Sequence, residues 1–194
     1  LFFKPEYEET LDVWDMQLVN YGKEVIRFRR EFIGRLNEIM QKIHLSLSGN
    51  KEEIKISYEP YTIEDQFGQT LKRNRPQDMK QKTTLSGPHR DDISFIVNGI
   101  DIRRFGSQGQ QRTAALSLKL SELELVKAVS RDNPILLLDD VLSELDSSRQ
   151  NHLLSAIQDI QTMITCTGLD DFVNNRFHID KIFKVIDGTV ENEN

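Results

Sequence analysis

Two short segments hold residue types that can handle a nucleotide. In the first, Phe105, Gly106, Ser107, Gln108, Gly109, Gln110, Gln111 and Arg112 follow one another. A Ser followed three residues later by a Gln is the spacing of a capping box, so a helix is expected to begin at Ser107. A helix start carries unpaired N–H groups and a partial positive charge, which suit an anion. Gly109 adds a place where a phosphate meets backbone with no side chain in the way. Taken alone, Ser107 to Gln110 describe an ordinary well-capped helix better than a phosphate site, and the residues that follow reverse that. In the second segment Leu136, Leu137 and Leu138 lead into Asp139 and Asp140. Ligands of parallel sheets collect at the carboxyl ends of the strands. Two adjacent carboxylates there are costly unless they hold a cation or a polarised water. Mg²⁺ takes one or two carboxylates and completes its shell with water and phosphate oxygens, so Asp139 is the candidate metal ligand. Asp140 is then the candidate to orient or deprotonate an attacking water. The plain alternative is a strand that ends in a surface turn with two acids.

Further residues flank these segments. Ser143 and Asp146 precede a new helix, which Asp146 or Ser147 would cap. Thr165, Cys166, Thr167 and Gly168 close the next strand, where a hydroxyl would reach a phosphate or the bound water. A phosphate loop needs Gly, four residues, then Gly-Lys-Ser or Gly-Lys-Thr. Only Gly22 is followed by lysine, with Gln17 and Glu24 at the flanking positions, so the motif is absent from this sequence.

The elements that must position these residues are legible from periodicity. Residues 11–46 read as one amphipathic helix, with Leu18, Tyr21, Val25, Phe28, Phe32, Leu36, Ile39 and Ile43 at spacings of three and four. Ile26, Ile33 and Met40 form a second stripe at spacing seven. So wide an apolar surface asks for a partner, either the helix's own domain or the outgoing half of a helical hairpin. Residues 53–61 alternate as a strand closed by Pro60. Residues 62–82 are polar and read as helical up to Pro76. Their cations Lys72, Arg73, Arg75, Lys80 and Lys82 form either a solvated face or a contact to a phosphate backbone. Asn98 and Gly99 between two apolar runs signal a tight hairpin, with its second strand at 100–103. Residues 108–130 form a helix with apolar residues nearly all round, expected to be buried. The run 135–138 reads as a strand buried in the centre of a parallel sheet. A helix over 147–158 and strands at 162–166, 182–186 and 189–190 complete the pattern. The fold class expected is α/β, an open, mostly parallel sheet flanked by helices, with a helical arm over 1–48 and a head lobe over 49–194.

Bulk composition narrows the function classes. The chain has 194 residues with 38% hydrophobic content, enough for a sizeable core. Its net charge of −6 argues against a generally basic nucleic-acid coat but leaves room for a local basic face. One cysteine excludes a disulfide framework and suits a reducing, cytoplasmic setting. No apolar run approaches membrane-spanning length, so no membrane is expected as a partner. A start at Leu1 inside a charged, helix-like stretch is the pattern expected of a fragment.

The order Ser-Gln-Gly-Gln-Gln-Arg, apolar helix, then Leu-Leu-Leu-Asp-Asp-Val-Leu-Ser-Glu-Leu-Asp resembles the ABC-type ATPase heads of SMC-like proteins. With Gly87, Pro88, His89, Arg90, Asp91 and Asp92, and with Asn98 and Gly99, it is closest to the RecF family. The resemblance covers most of residues 50–190. It implies a nucleotide site formed between two heads: Ser107, Gln108, Gly109 and Gln110 serve the partner's ATP, while Asp139 and Asp140 serve the ATP and Mg²⁺ of their own head. Ser143 and Asp146 match the D-loop, which communicates across the dimer. The resemblance also implies a homodimer formed on ATP, slow hydrolysis, binding to gapped or junction DNA, and work with RecR and RecO in placing RecA. Lys72, Arg73 and Arg75 are the candidate DNA contacts. Most ABC heads carry Glu at the position of Asp140, where the RecF group has Asp, and a switch His near Thr167, here the switch candidate. Two other readings remain open at this point: the head of a different SMC-like ATPase, or a non-enzymatic module that binds DNA or protein.

Overall fold

The computed structural model describes residues 8–130, 134–167 and 179–193. The chain forms two compact units, Leu1–Arg131 and Asp132–Asn194. The sequence boundary at 48/49 marks the end of the first helix, whereas compactness divides the chain near 131.

The first unit is organised by α1 (Glu8–Leu47). Ile26, Ile33, Leu36, Met40 and Leu47 on one of its faces are buried. That face packs on β1 (Ile54–Glu59) and α4 (Gln108–Ser130). The core joins Ile33, Leu36 and Met40 with Ile54, Ile56, Val97, Ile102 and Ala114. The first five residues of the richer stripe point elsewhere, with Leu18, Val25, Phe28 and Phe32 exposed and Tyr21 68% exposed, whereas Leu36 of the same stripe is buried and Ile39 and Ile43 are half-buried. The sparser stripe at spacing seven, joined by Leu36, is thus the one that faces the core of the unit. Both stripes satisfy helical periodicity, and only the position of β1 and α4 selects between them.

β1, β2 (Asp92–Val97) and β3 (Ile100–Asp101) form an antiparallel sheet, with Ile56 opposite Phe95 and Val97 opposite Ile100. The tight turn has φ of 48° at Asn98 and 82° at Gly99, the doubly positive pattern that Asn-Gly favours. Residues 102–103 do not extend the second strand as expected. They begin α3 (Ile102–Phe105), because Asp101 caps it by accepting a hydrogen bond from Arg103 N at 3.0 Å. The 62–82 segment is a short 3-10 turn, Glu64–Gln66, and then α2 (Phe67–Gln81). Pro76 lies inside α2 rather than ending it. The carbonyl its ring leaves without a donor belongs to Lys72, on an exposed stretch of the helix where water can serve it. Arg75 ties α2 to α1, at 2.6 Å from both Asp12 and Asp15.

In α4, Ala114, Leu116, Leu120 and Leu123 are buried while Val126 and Val129 are exposed, so burial holds for the first four turns only. In the second unit β4 (Leu136–Asp139) and β5 (Thr162–Thr165) pair in parallel, with Leu137 beside Met163 and Asp139 beside Thr165. α5 (Ser147–Ala156) connects them. β6 (Ile182–Ile186) and β7 (Thr189–Glu193) form an antiparallel hairpin. The expected α/β class with open sheets is what forms, but parallel pairing is confined to β4–β5 among the described residues. β4 is buried on one face only. Leu136 and Leu138 are covered, whereas Leu137 is 69% and Met163 61% exposed. A run of apolar residues is ambiguous between one covered face and two, and here β5 is the one strand paired with β4 among the described residues.

Urea unfolding distinguishes the two stripes of α1. Met40→Ala is expected to lower stability by about 2–5 kcal/mol. Tyr21→Ala should stay within about 0.5 kcal/mol.

Candidate nucleotide-binding site

The residues singled out in the sequence fall in both units. In the first, the capping box forms reciprocally: Gln110 N donates to Ser107 Oγ at 3.2 Å, and Ser107 N donates to Gln110 Oε1 at 3.0 Å. The cap therefore fixes the start of α4 at the residues the sequence singled out. Ser107 and Gln108 are exposed, and Gly109 and Gln110 half-buried, so the turn is open to a ligand. Backbone tightness upstream holds it in place. Gly106 N donates to Ile102 O at 3.1 Å, and Gln111 Nε2 donates to the same carbonyl at 2.8 Å. A Cβ on Gly106 would lie 2.6 Å from that oxygen, so no other residue fits without moving α3. Phe105, 76% exposed, stands immediately before this turn.

The run from Gly87 to Asp92 is also held from several sides. Asp91 is nearly buried and accepts from Arg29 Nη1 at 3.0 Å, from Tyr61 N at 2.9 Å and from the Tyr58 hydroxyl. Burial pushes the Tyr58 phenol above its ordinary pKa, and the bond to Asp91 adds to the shift. Asp92 binds Arg103 of α3 at 2.7 Å, which joins this turn to the approach to Ser107. That guanidinium, together with the Ile93 N–H, holds the Asp92 carboxyl below the usual range.

In the second unit, Asp139 and Asp140 are exposed at the carboxyl end of β4. Thr165 serves both: its hydroxyl donates to Asp139 Oδ1, and it accepts from Asp140 N at 3.1 Å. Asp140 N also lies 3.2 Å from Thr165 O. Asp140 takes φ of 51°, a left-handed conformation that Asp tolerates better than most residues. Ser143 Oγ donates to Asp140 O at 2.8 Å, within the turn that leads to α5. Asp146 caps α5, accepting from Ser148 N at 3.1 Å and Arg149 N at 3.0 Å. These backbone bonds, led by the one from Arg149, hold its carboxyl below the usual range. Asp139, Asp140, Ser143 and Thr165 are thus gathered at one end of the β4–β5 pair. Thr167 is exposed beyond the strand, and Thr165, two residues earlier, is the hydroxyl that touches the acids. The parallel register, which pairs Asp139 with Thr165, was the missing signal. Gly168 lies outside the described residues.

Asp139 and Asp140 are the two carboxylates that could hold Mg²⁺ at this strand end. Among the described residues there is no cluster of three or more His, Cys, Asp or Glu able to hold an ion. One or two carboxylates in an open position are what Mg²⁺ uses when phosphates and water complete its shell. Of the basic cluster on α2, Lys72 and Arg73 are exposed, whereas the Arg75 guanidinium is engaged by Asp12 and Asp15, which raise its pKa.

Open sheets flanked by helices give the chain the fold shared by RecF and SMC ATPase structures. The chain is a homologue of RecF over about half of that protein's length. It is 58% identical to the DNA replication and repair protein RecF of Lachnospira eligens, across 96% of this chain and 51% of that protein. It is 56% identical to RecF of Agathobacter rectalis, across 97% and 52%. A structure of the recombination mediator protein RecF, described as RecF-ATP in the RecFOR pathway, superposes with a TM-score of 0.83 at 35% identity, covering 99% of this chain and 54% of that one. Its counterpart described as RecF-ATPrS gives 0.79 at 35% identity, covering 95% and 51%. An SMC ATPase structure at 15% identity and a TM-score of 0.53, covering 87% and 88%, shares the fold. No protein-family model matches the chain.

The caps can be tested directly. Asp146→Ala should cost about 1 kcal/mol at neutral pH. Because its folded pKa is depressed, the wild-type contribution is present above the unfolded carboxylate value and lost as pH falls through the lower folded value. The difference between wild type and variant in urea unfolding should therefore shrink as the pH falls below the ordinary carboxylate range.

Proposed function

We propose that this chain supplies the phosphate-sensing and water-activating portion of a RecF-type ATPase that acts in DNA replication and repair. The observation that carries the reading is the capping box closed at Ser107 and Gln110 on an exposed helix start. The first N–H groups of α4 have no carbonyl four residues back, so the turn favours an anion. In a dimer of heads, Ser107, Gln108, Gly109 and Gln110 face the γ-phosphate of the partner's ATP. Asp139 and Asp140 face the ATP of their own head, and Ser143 and Asp146 communicate across the dimer. The absence of a phosphate-loop motif from this sequence supports a division in which the rest of the full-length protein cradles the phosphates.

The roles follow from the hydrogen bonds. Thr165 occupies Asp139 Oδ1 and so orients the carboxylate at the strand end. Asp139 would hold Mg²⁺, which when bound neutralises charge on the phosphate oxygens. Asp140, set by its left-handed turn and by Thr165, accepts a proton from the attacking water or orients it. Asp is a shorter base than the Glu of most ABC heads, which fits slow turnover. Binding to gapped or junction DNA is assigned to exposed cations such as Lys72 and Arg73, with Arg75 holding α2 in place. RecR and RecO are the protein partners proposed, in keeping with the RecFOR pathway named for the similar structures.

In the full-length protein, Ser107→Arg should abolish ATP-dependent dimerisation measured by light scattering, while ATP binding to the monomer is retained. Unchanged dimerisation would sink the assignment of the helix start. Asp140→Asn should lower steady-state ATPase by about 10²–10⁴-fold without loss of ATP binding. A rate equal to wild type would remove Asp140 from the chemistry.

A further inference from the structure

One buried titratable group lies outside the nucleotide site. His44, near the end of α1, has no exposed surface and packs where α1 meets α4. Its Nδ1 is 3.0 Å from Ser117 Oγ, and its Nε2 is 3.4 Å from Glu52 Oε2 in the connection to β1. The hydroxyl decides which partner donates. Ser117 Oγ gives its single hydrogen to Thr113 O at 2.7 Å, so it can only accept from the ring. His44 Nδ1 therefore carries a hydrogen. A bare Nε2 would then set its lone pair against a carboxylate in a buried site, an arrangement that low dielectric penalises. A hydrogen on Nε2 removes that conflict and makes Glu52 the counter-ion.

The contact continues along α4 toward the helix start. Thr113 Oγ1 donates to Gly109 O at 2.7 Å, Ser117 Oγ to Thr113 O, and His44 Nδ1 to Ser117 Oγ. Thr113, Ser117 and Ser121, all buried, repeat at spacing four, and Ser121 Oγ donates to Ser117 O at 2.5 Å. Back-bonded hydroxyls of this kind adjust the curvature of a helix. Three successive bonds thus link the carbonyl of Gly109, inside the phosphate-facing turn, to a side chain of the long helix α1.

We propose that His44, with both ring nitrogens protonated, is a positioning residue that couples α1 to the phosphate-facing start of α4 through Ser117 and Thr113. It sets the curvature of the first turns of α4 and hence the placement of Ser107, Gln108 and Gly109 on a partner's nucleotide. Movement of α1 is transmitted to that turn through this chain of bonds. The inference rests on the reading of Ser107–Gln110 as facing ATP across a dimer.

Two measurements on the full-length protein test it. Nitrogen-15 spectra of the labelled histidines, assigned with His44→Leu, should show both His44 ring nitrogens protonated at pH 7.5 in the ATP-free protein. A neutral ring with one bare nitrogen overturns the proposal. In a double-mutant cycle read as the dimer Kd with ATP, His44→Leu and Ser117→Ala should each weaken dimerisation about 10-fold, and the double variant should be no worse than either. ATP binding to the monomer should not change. A purely structural role would show its coupling in urea unfolding and leave the dimer Kd of the folded protein unmoved, which overturns the proposal. If His44→Leu does not fold, the spectrum can be assigned from the other histidines, and Ser117→Ala alone must still weaken dimerisation. Ser107→Arg serves as the control. If it abolishes dimerisation while the cycle shows no coupling, only this inference fails. If it has no effect, the underlying reading of the site fails first.

Discussion

The burial of one face of α1 against β1 and α4 is the interaction on which the first unit depends. Ile33, Leu36 and Met40 meet Ile54 and Ile56 of the sheet, Ile102 of α3 and Ala114 of α4 in one cluster. Each large side chain so buried contributes about 1.5–3 kcal/mol, which makes this seam the principal reason the unit holds together. The same seam fixes the direction of α4. Because α3 is anchored in the cluster by Ile102, the tight Gly106 connection can deliver the capping box to one place on the surface. Ser107 is thus positioned by apolar packing some distance from it, and only its final orientation comes from polar bonds.

The acids follow a different logic. Asp139 and Asp140 owe their position to where β4 ends, and their orientation to a neighbouring strand. Parallel pairing places Thr165 beside Asp139, and one hydroxyl then serves a carboxylate and a backbone N–H at once. The positive φ of Asp140 turns the chain away from the sheet immediately after the second acid. Ser143 and Asp146 then use their side chains on backbone groups, building the turn and the cap that start α5. Ser143 and Asp146 therefore carry local structural duties, so substitutions there act on the turn and on the helix cap.

Several charged residues on the surface of the first unit pair with one another. Arg30 pairs with Glu64, with Nη2 at 2.8 Å from Oε2, and this pairing lowers the Glu64 pKa while raising that of Arg30. Arg29 and Asp91, and Arg75 with Asp12 and Asp15, tie α1 to the turn before β2 and to α2. Exposed pairs of this type are worth little singly. Lys72 and Arg73 are exposed on α2, while Arg75, one turn from Lys72, faces α1.

The sequence by itself determined the local features that short-range chemistry dictates. The extent of α1, the Asn98–Gly99 turn, the capping box and the strand ending in Asp139 depend on neighbours within a few residues, so spacing is enough to find them. The tertiary structure decided everything that depends on which elements meet. It selected the Ile26–Ile33–Met40 stripe of α1 over the richer Leu18–Tyr21–Phe28 stripe, and left one face of β4 uncovered. It ran α2 through Pro76, turned residues 102–103 into a helix, and set Thr165 rather than Thr167 beside the acids. Periodicity states that a face is apolar, but only a partner in space states whether that face is inside. For the same reason His44, Ser117 and Glu52 carry no sequence signal: they are 73 and 8 residues from one another along the chain, and become a unit only where α1 lies against α4.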